Sequence, residues 1–155
     1  MHGQGEFRYA NGDVYVGQFS RGKKHGQGRC VLASGDEYAG AYAQDMMHGP
    51  GRFAFSSGAL YEGGFKDGFF HGRGKITFPE GASYEGDYRG GKKNGQGVSR
   101  FADGDVYDGS YVEDSMQGHG TYTYVEGDIY SGEFREGKKH GFGRAIFADG
   151  DRYEV

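Results

Sequence analysis

Tyr130-Ser131-Gly132-Glu133-Phe134-Arg135-Glu136-Gly137-Lys138-Lys139-His140-Gly141-Phe142-Gly143 holds the frame on which the whole chain is written. Tyr130, Gly132 and Phe134 alternate with Ser131 and Glu133, the period of two that puts alternate side chains on one face of a strand. The tyrosine recurs without slippage every 23 residues, at Tyr15, Tyr38, Tyr61, Tyr84, Tyr107, Tyr130 and Tyr153. A fixed period of that size marks a stacked repeat, in which each unit contacts only its neighbours. A unique catalytic centre is not expected where every unit nearly duplicates the next, so the sequence reads as a non-enzyme.

Other positions keep the same register. Phe19, Tyr42, Phe65, Tyr88, Tyr111 and Phe134 follow each tyrosine by four residues. Gly26/Gly28 and its five equivalents form Gly-x-Gly pairs, and Leu32, Phe55, Phe78, Phe101, Tyr124 and Phe147 follow as large apolar residues. Each unit reads as two short strands, one face aromatic and glycine-rich, the other mixed and polar. Asn11-Gly12, Asp103-Gly104 and Asp149-Gly150 supply turns with positive φ between units. The longer connection is expected within the unit, over Ser20 to His25. Glycine weakens a strand unless a ring from its neighbour covers it; Gly72 is taken as one such covered position. The expected fold is all-β: an elongated, twisted, antiparallel single-sheet solenoid of β-hairpins, about 10 Å per repeat and roughly 60 Å long. One array spans residues 1–155: a half repeat at 1–14, six full repeats over 15–152 and the start of another at 153–155.

Composition narrows the function classes. The 155 residues include 33 glycines and carry a net charge of −4 with both signs interspersed, which argues against a nucleic-acid binder. No stretch approaches the ~20 apolar residues of a membrane span, and no secretory signal is visible. A single cysteine, Cys30, permits no internal disulfide and fits a reducing, intracellular compartment. The chain starts and stops mid-unit without polar caps, so either it is a piece of a longer array or its ends dock.

The recurring Tyr-x-Gly-x-Phe/Tyr-x-x-Gly-x-x-x-Gly-x-Gly resembles the MORN repeat (membrane occupation and recognition nexus), and residues 130–143 fit at every consensus position. Asp45 and Asp114 depart from it where a glycine is usual, which puts the shape of those two loops at issue. The resemblance implies a sheet of successive hairpins and intracellular scaffolding in cytoskeletal, ciliary or membrane-junction assemblies. It also implies dimerisation in some members, peptide binding in an aromatic groove in others, and phosphoinositide binding in others again.

Several residue sets invite chemistry. His2, His25, His48, His71 and His140 share a register with Asn94 and Gln117. Equivalent positions lie about 10 Å apart, whereas two ligands of one zinc sit within roughly 4 Å of each other, so a structural hydrogen bond near the turn is expected and no metal. The Gly-x-Gly pairs lack the following helix of a phosphate loop, so no nucleotide or other cofactor is expected. Asp103-Gly104-Asp105 and Asp149-Gly150-Asp151 lack the calcium-loop ligand pattern and read as turns. Cys30 reads as a small residue of the aromatic face.

Three functional readings follow. The first is a non-catalytic scaffold in the cytoplasm, associated with cytoskeleton or cilium. It would hold a partner helix or extended peptide against Tyr15, Phe19, Tyr38, Tyr42, Tyr61, Phe65, Tyr84, Tyr88, Tyr107, Tyr111, Tyr130 and Phe134, with a second contact at Met46, Met47, Phe69 and Phe70, or would form a homodimer or end-to-end assembly. The second is a peripheral membrane module that meets anionic phospholipid through Lys23, Lys24, Lys92, Lys93, Lys138 and Lys139. The third is a regulatory segment of a larger enzyme.

Overall fold

The computed structural model describes residues 2–154, and among them there is no helix. Fourteen strands follow one another: β1 Gly3–Arg8, β2 Val14–Ser20, β3 Lys23–Val31, β4 Glu37–Ala43, β5 Met46–Ala54, β6 Leu60–Lys66, β7 Phe69–Thr77, β8 Ser83–Arg89, β9 Lys92–Arg100, β10 Val106–Val112, β11 Ser115–Thr123, β12 Ile129–Arg135, β13 Lys138–Ile146 and β14 Arg152–Glu154. They form one sheet in sequence order, every neighbouring pair antiparallel. Alternation explains the faces: in β2, Tyr15, Gly17 and Phe19 are buried while Val16 and Gln18 are exposed.

The loop lengths are the reverse of the sequence expectation. Within a unit the turn is only two residues, and Lys23, Lys24 and His25 already belong to β3. Arg21 (φ 51°) and Gly22 (φ 78°) both take positive φ, the geometry that matches strand twist in a two-residue hairpin. The connection between units, such as Leu32 to Asp36, is the longer one. It is closed by Leu32 N–H to the Asp36 carbonyl (2.8 Å) and Gly35 N–H to the Leu32 carbonyl (2.9 Å). At the two turns without glycine the shape is kept: Asp45 and Asp114 adopt φ 69° and 70°. Their carboxylates accept the main-chain N–H of Lys24 (2.7 Å) and Lys93 (2.8 Å), which offsets the left-handed backbone.

Each hairpin carries a bulge. Gly17 pairs with Gly28, but Phe19 pairs with Lys24, so Gln18 alone faces His25, Gly26 and Gln27. The tyrosine hydroxyl seals this irregularity. Tyr15 donates to the Gln18 carbonyl (2.8 Å), and Tyr38, Tyr61, Tyr84, Tyr107 and Tyr130 repeat the bond three residues ahead at 2.7 to 3.3 Å. The Tyr61 ring meanwhile lies across Gly74, where a Cβ would overlap it. Ring coverage of glycine therefore falls on the second glycine of each pair. Gly72, the first, is uncovered and is held by its φ of 74° at the bulge.

The core is a continuous edge-to-face ladder of rings. Tyr15 contacts Phe19 and Tyr42 at 5.0 and 5.2 Å between centroids, Tyr38 contacts Tyr42 and Phe65, and the series runs on to Phe134 with interplanar angles of 82° to 87°. Such pairs add ~0.5–1.5 kcal/mol each beyond area burial.

Candidate interaction surface

The aromatic face was expected to offer its twelve rings to a partner. They are between 0 and 7 % exposed, because the ladder covers each ring with its neighbours. Their hydroxyls are correspondingly hard to ionise: burial pushes Tyr38, Tyr61 and Tyr107 up to about 12. The surface left on this face belongs to a second row, of which the sequence puts forward only Met47 and Phe70 as partner contacts. Tyr9, Leu32, Met47, Phe53, Phe55, Phe70, Met116 and Tyr122 are partly buried against the ladder, and Phe78 and Phe101 stand 38 and 37 % exposed beside it. At the centre Phe53, Phe55 and Phe70 pack together, with Phe70 stacked on Tyr61 at 3.7 Å and 6°.

The expected patch of Met46, Met47, Phe69 and Phe70 is divided. Met47 and Phe70 pair with Tyr42 and Phe65 and share their face, whereas Met46 and Phe69 point to the other face, 42 and 58 % exposed. The lysines divide likewise. Lys24, Lys93 and Lys139 lie on the aromatic face, and Lys23, Lys92 and Lys138 on the opposite one, so no single plane meets all six.

The three inward lysines sit over rings. Lys24 Nζ lies 4.7 Å from the Tyr9 centroid and 5.4 Å from that of Tyr15, Lys93 lies 5.0 Å from Tyr84, and Lys139 lies 4.9 Å from Tyr130. Burial lowers the Lys93 pKa, against the opposing pull of Asp114. A regularity in the sequence accompanies them. Six residues after each of these lysines comes a small residue, Cys30, Ser99 or Ala145, while Met47, Phe70 and Met116 are followed by Phe53, Ile76 and Tyr122. Lys24 and Cys30 line one recess of 210 Å³, and Lys139 and Ala145 another of 340 Å³. Comparing positions 24, 47, 70, 93, 116 and 139 with those six later would have found this.

The remaining sets are structural. Part of the histidine register bonds the next turn: His2 accepts the Arg21 N–H (3.4 Å) and His48 the Asp67 N–H (3.5 Å), and Asn94 and Gln117 do the same for Glu113 and Glu136. The inter-unit aspartates stitch units together, Asp36 to the Ser56 N–H (2.7 Å) and Asp105 to the Val125 N–H (2.9 Å) and Tyr122 hydroxyl (2.7 Å). Cys30 is buried on the aromatic face, and burial raises its thiol pKa. Ser99, in the same register, is bonded to the Tyr111 hydroxyl.

A family model described as MORN repeat matches residues 1–14, 15–37, 38–60, 61–83, 84–106, 107–129 and 130–152. No curated protein matches the chain. Among solved structures, the SAS-4 (dCPAP) TCP domain of Drosophila melanogaster, in complex with a proline-rich motif of Ana2 (dSTIL), is similar. It shows 14 % identity and a TM-score of 0.57, over 98 % of this chain and 83 % of that one. The wild-type TCP10 domain of Danio rerio CPAP is similar too, at 16 % identity and a TM-score of 0.56, over 98 % of this chain and 72 % of that one. At such identities the likeness is one of fold.

Proposed function

The chain belongs to the MORN-repeat family, and from that premise we propose that it is a non-catalytic scaffold that holds a partner helix or extended peptide along its aromatic face, within a cytoskeletal, ciliary or membrane-associated assembly. The observation that carries this reading is the second row of partly buried apolar side chains. Phe53, Phe55 and Phe70, with Phe78 and Phe101 beside them, form a strip that the ladder beneath them does not cover. Aromatic side chains in such a strip anchor partners at low entropic cost. An extended partner is favoured by the fold likeness to a domain solved with a proline-rich motif. A stiff, preformed segment of that kind docks in aromatic-lined grooves with little ordering to do.

Peptide display against the immobilised chain tests it. A sequence should be enriched whose binding is lost in Phe78→Ser Phe101→Ser, two exposed positions, while the thermal melt is kept. No enrichment, or binding indifferent to both substitutions, would count against the strip.

A further inference from the structure

Three lysines are set apart from the other cations by the face they occupy, beside the rings. Opposite the ladder some cations are paired, Arg29 with Glu37 (3.0 Å), Arg73 with Asp87 (3.5 Å), Arg144 with Glu154 (3.0 Å) and, at the hairpin turns, Lys92 with Glu113 (3.2 Å), while others, such as Arg52, Lys75 and Arg100, make no ion pair among the described residues. Among the described residues, no ion pair involves Lys24, Lys93 or Lys139, the three cations of the aromatic face. One oxygen of each nearby carboxylate, Asp45 and Asp114, accepts the main-chain N–H of Lys24 or Lys93. In a chain of net charge −4, three unmatched ammonium groups have been kept on the apolar face. Lys24 and Lys93 are half-buried and Lys139 is exposed, so each ammonium group has a side open to a carboxylate from outside, which would add a charge-assisted hydrogen bond to the contact with the ring.

Their positions along the sheet give the arrangement. Lys24 lies on β3, Lys93 on β9 and Lys139 on β13. Six and four strand spacings separate them, about 29 and 19 Å at ~4.8 Å per strand. Between Lys24 and Lys93 stand Phe53, Phe55 and Phe70. Resting on the peptide-binding reading above, we propose that the occupant is an extended segment with an apolar centre and acidic flanks, one carboxylate meeting Lys24 and two others meeting Lys93 and Lys139. In polyproline geometry, at ~3.1 Å per residue, the carboxylates are about nine and six residues apart.

The test uses three synthetic proline- and leucine-rich peptides of one length, carrying at those spacings three Glu, three Gln or three Lys, titrated into the whole chain. Lys93→Met and Lys139→Met copy residues the chain already uses at Met47 and Met116, so the ladder is preserved. The Glu peptide should bind the tightest, about tenfold above the Gln peptide for each lysine engaged. Lys93→Met Lys139→Met should bring the two peptides together, and Lys93→Arg should keep them apart. Equal binding of the Glu and Gln peptides overturns this inference alone. Binding of none at millimolar concentration overturns the extended-peptide reading with it. Sedimentation with phosphatidylserine vesicles that fails in Lys24→Met Lys93→Met Lys139→Met, with all three peptides unbound, gives the lysines to lipid and overturns the peptide proposal.

Discussion

At Tyr61 two tasks fall to one side chain. The ring covers Gly74 and contacts Phe65 and Tyr88, and the hydroxyl takes the Gly64 carbonyl at 2.8 Å. Tyr61→Phe keeps the ring but leaves a carbonyl at the bulge unpaired, a loss of about 1–3 kcal/mol in urea denaturation. Tyr88→Phe should cost under ~1 kcal/mol, because Phe19, Phe65 and Phe134 already fill that register. Glycines separate in the same way. Gly74→Ala forces a methyl into the Tyr61 ring and should cost more than ~2 kcal/mol. Gly72→Ala meets no atom within 4 Å and bears only the strain of φ 74°, about 1 kcal/mol. Equal denaturation midpoints for the two glycine variants would refute the ring-cover account.

Between elements, the hairpins are joined by side chains and turn amides as well as by ladders. Gly68, Gly91 and Gly137 donate to the carbonyls of Met47, Phe70 and Met116 at 2.9, 2.9 and 3.0 Å, so each turn is fixed to the unit before it. On the other edge, Asp105 accepts from both Val125 and Tyr122 while only 9 % exposed. Asp105→Ala leaves a hydroxyl and an amide without their acceptor and should lower stability by about 2–3 kcal/mol in thermal or urea melts. The fold should survive, because Ala59 and Ala82 stand at the equivalent positions of two other units. Asp105→Asn should recover part of the loss, since its amide oxygen still accepts one bond.

Across the whole molecule the ring ladder is one connected object, so its ionisation is tied to folding. In the folded chain Tyr38, Tyr61 and Tyr107 hold their protons up to about 12, whereas an unfolded tyrosine releases its proton near ~10. The folded state binds those protons more tightly, so the stability they contribute is whole below pH ~10 and is lost as the pH rises towards about 12. Absorbance at 295 nm should therefore show a steep late phase in that window, coincident with loss of the strand circular dichroism signal. A single phase centred near 10 with the dichroism intact would show that the ladder is open to solvent.

The 23-residue period by itself determined that the chain is a repeat, that its strands alternate, and which residues form the aromatic face. Those follow from periodicity, which is a local property of the sequence. The tertiary structure alone decided where the turns close and which glycine lies under a ring. A bulge shifts register between strands without changing the period, so neither is written in the spacing. It also decided that the twelve rings face one another, leaving a second row as the surface. Burial depends on how adjacent units pack, and the sequence of one unit does not contain its neighbour's geometry. The unmatched lysines lie between these cases. Their pairing with small residues six positions later was legible in the chain, but its meaning required seeing both ends of the pair over one tyrosine.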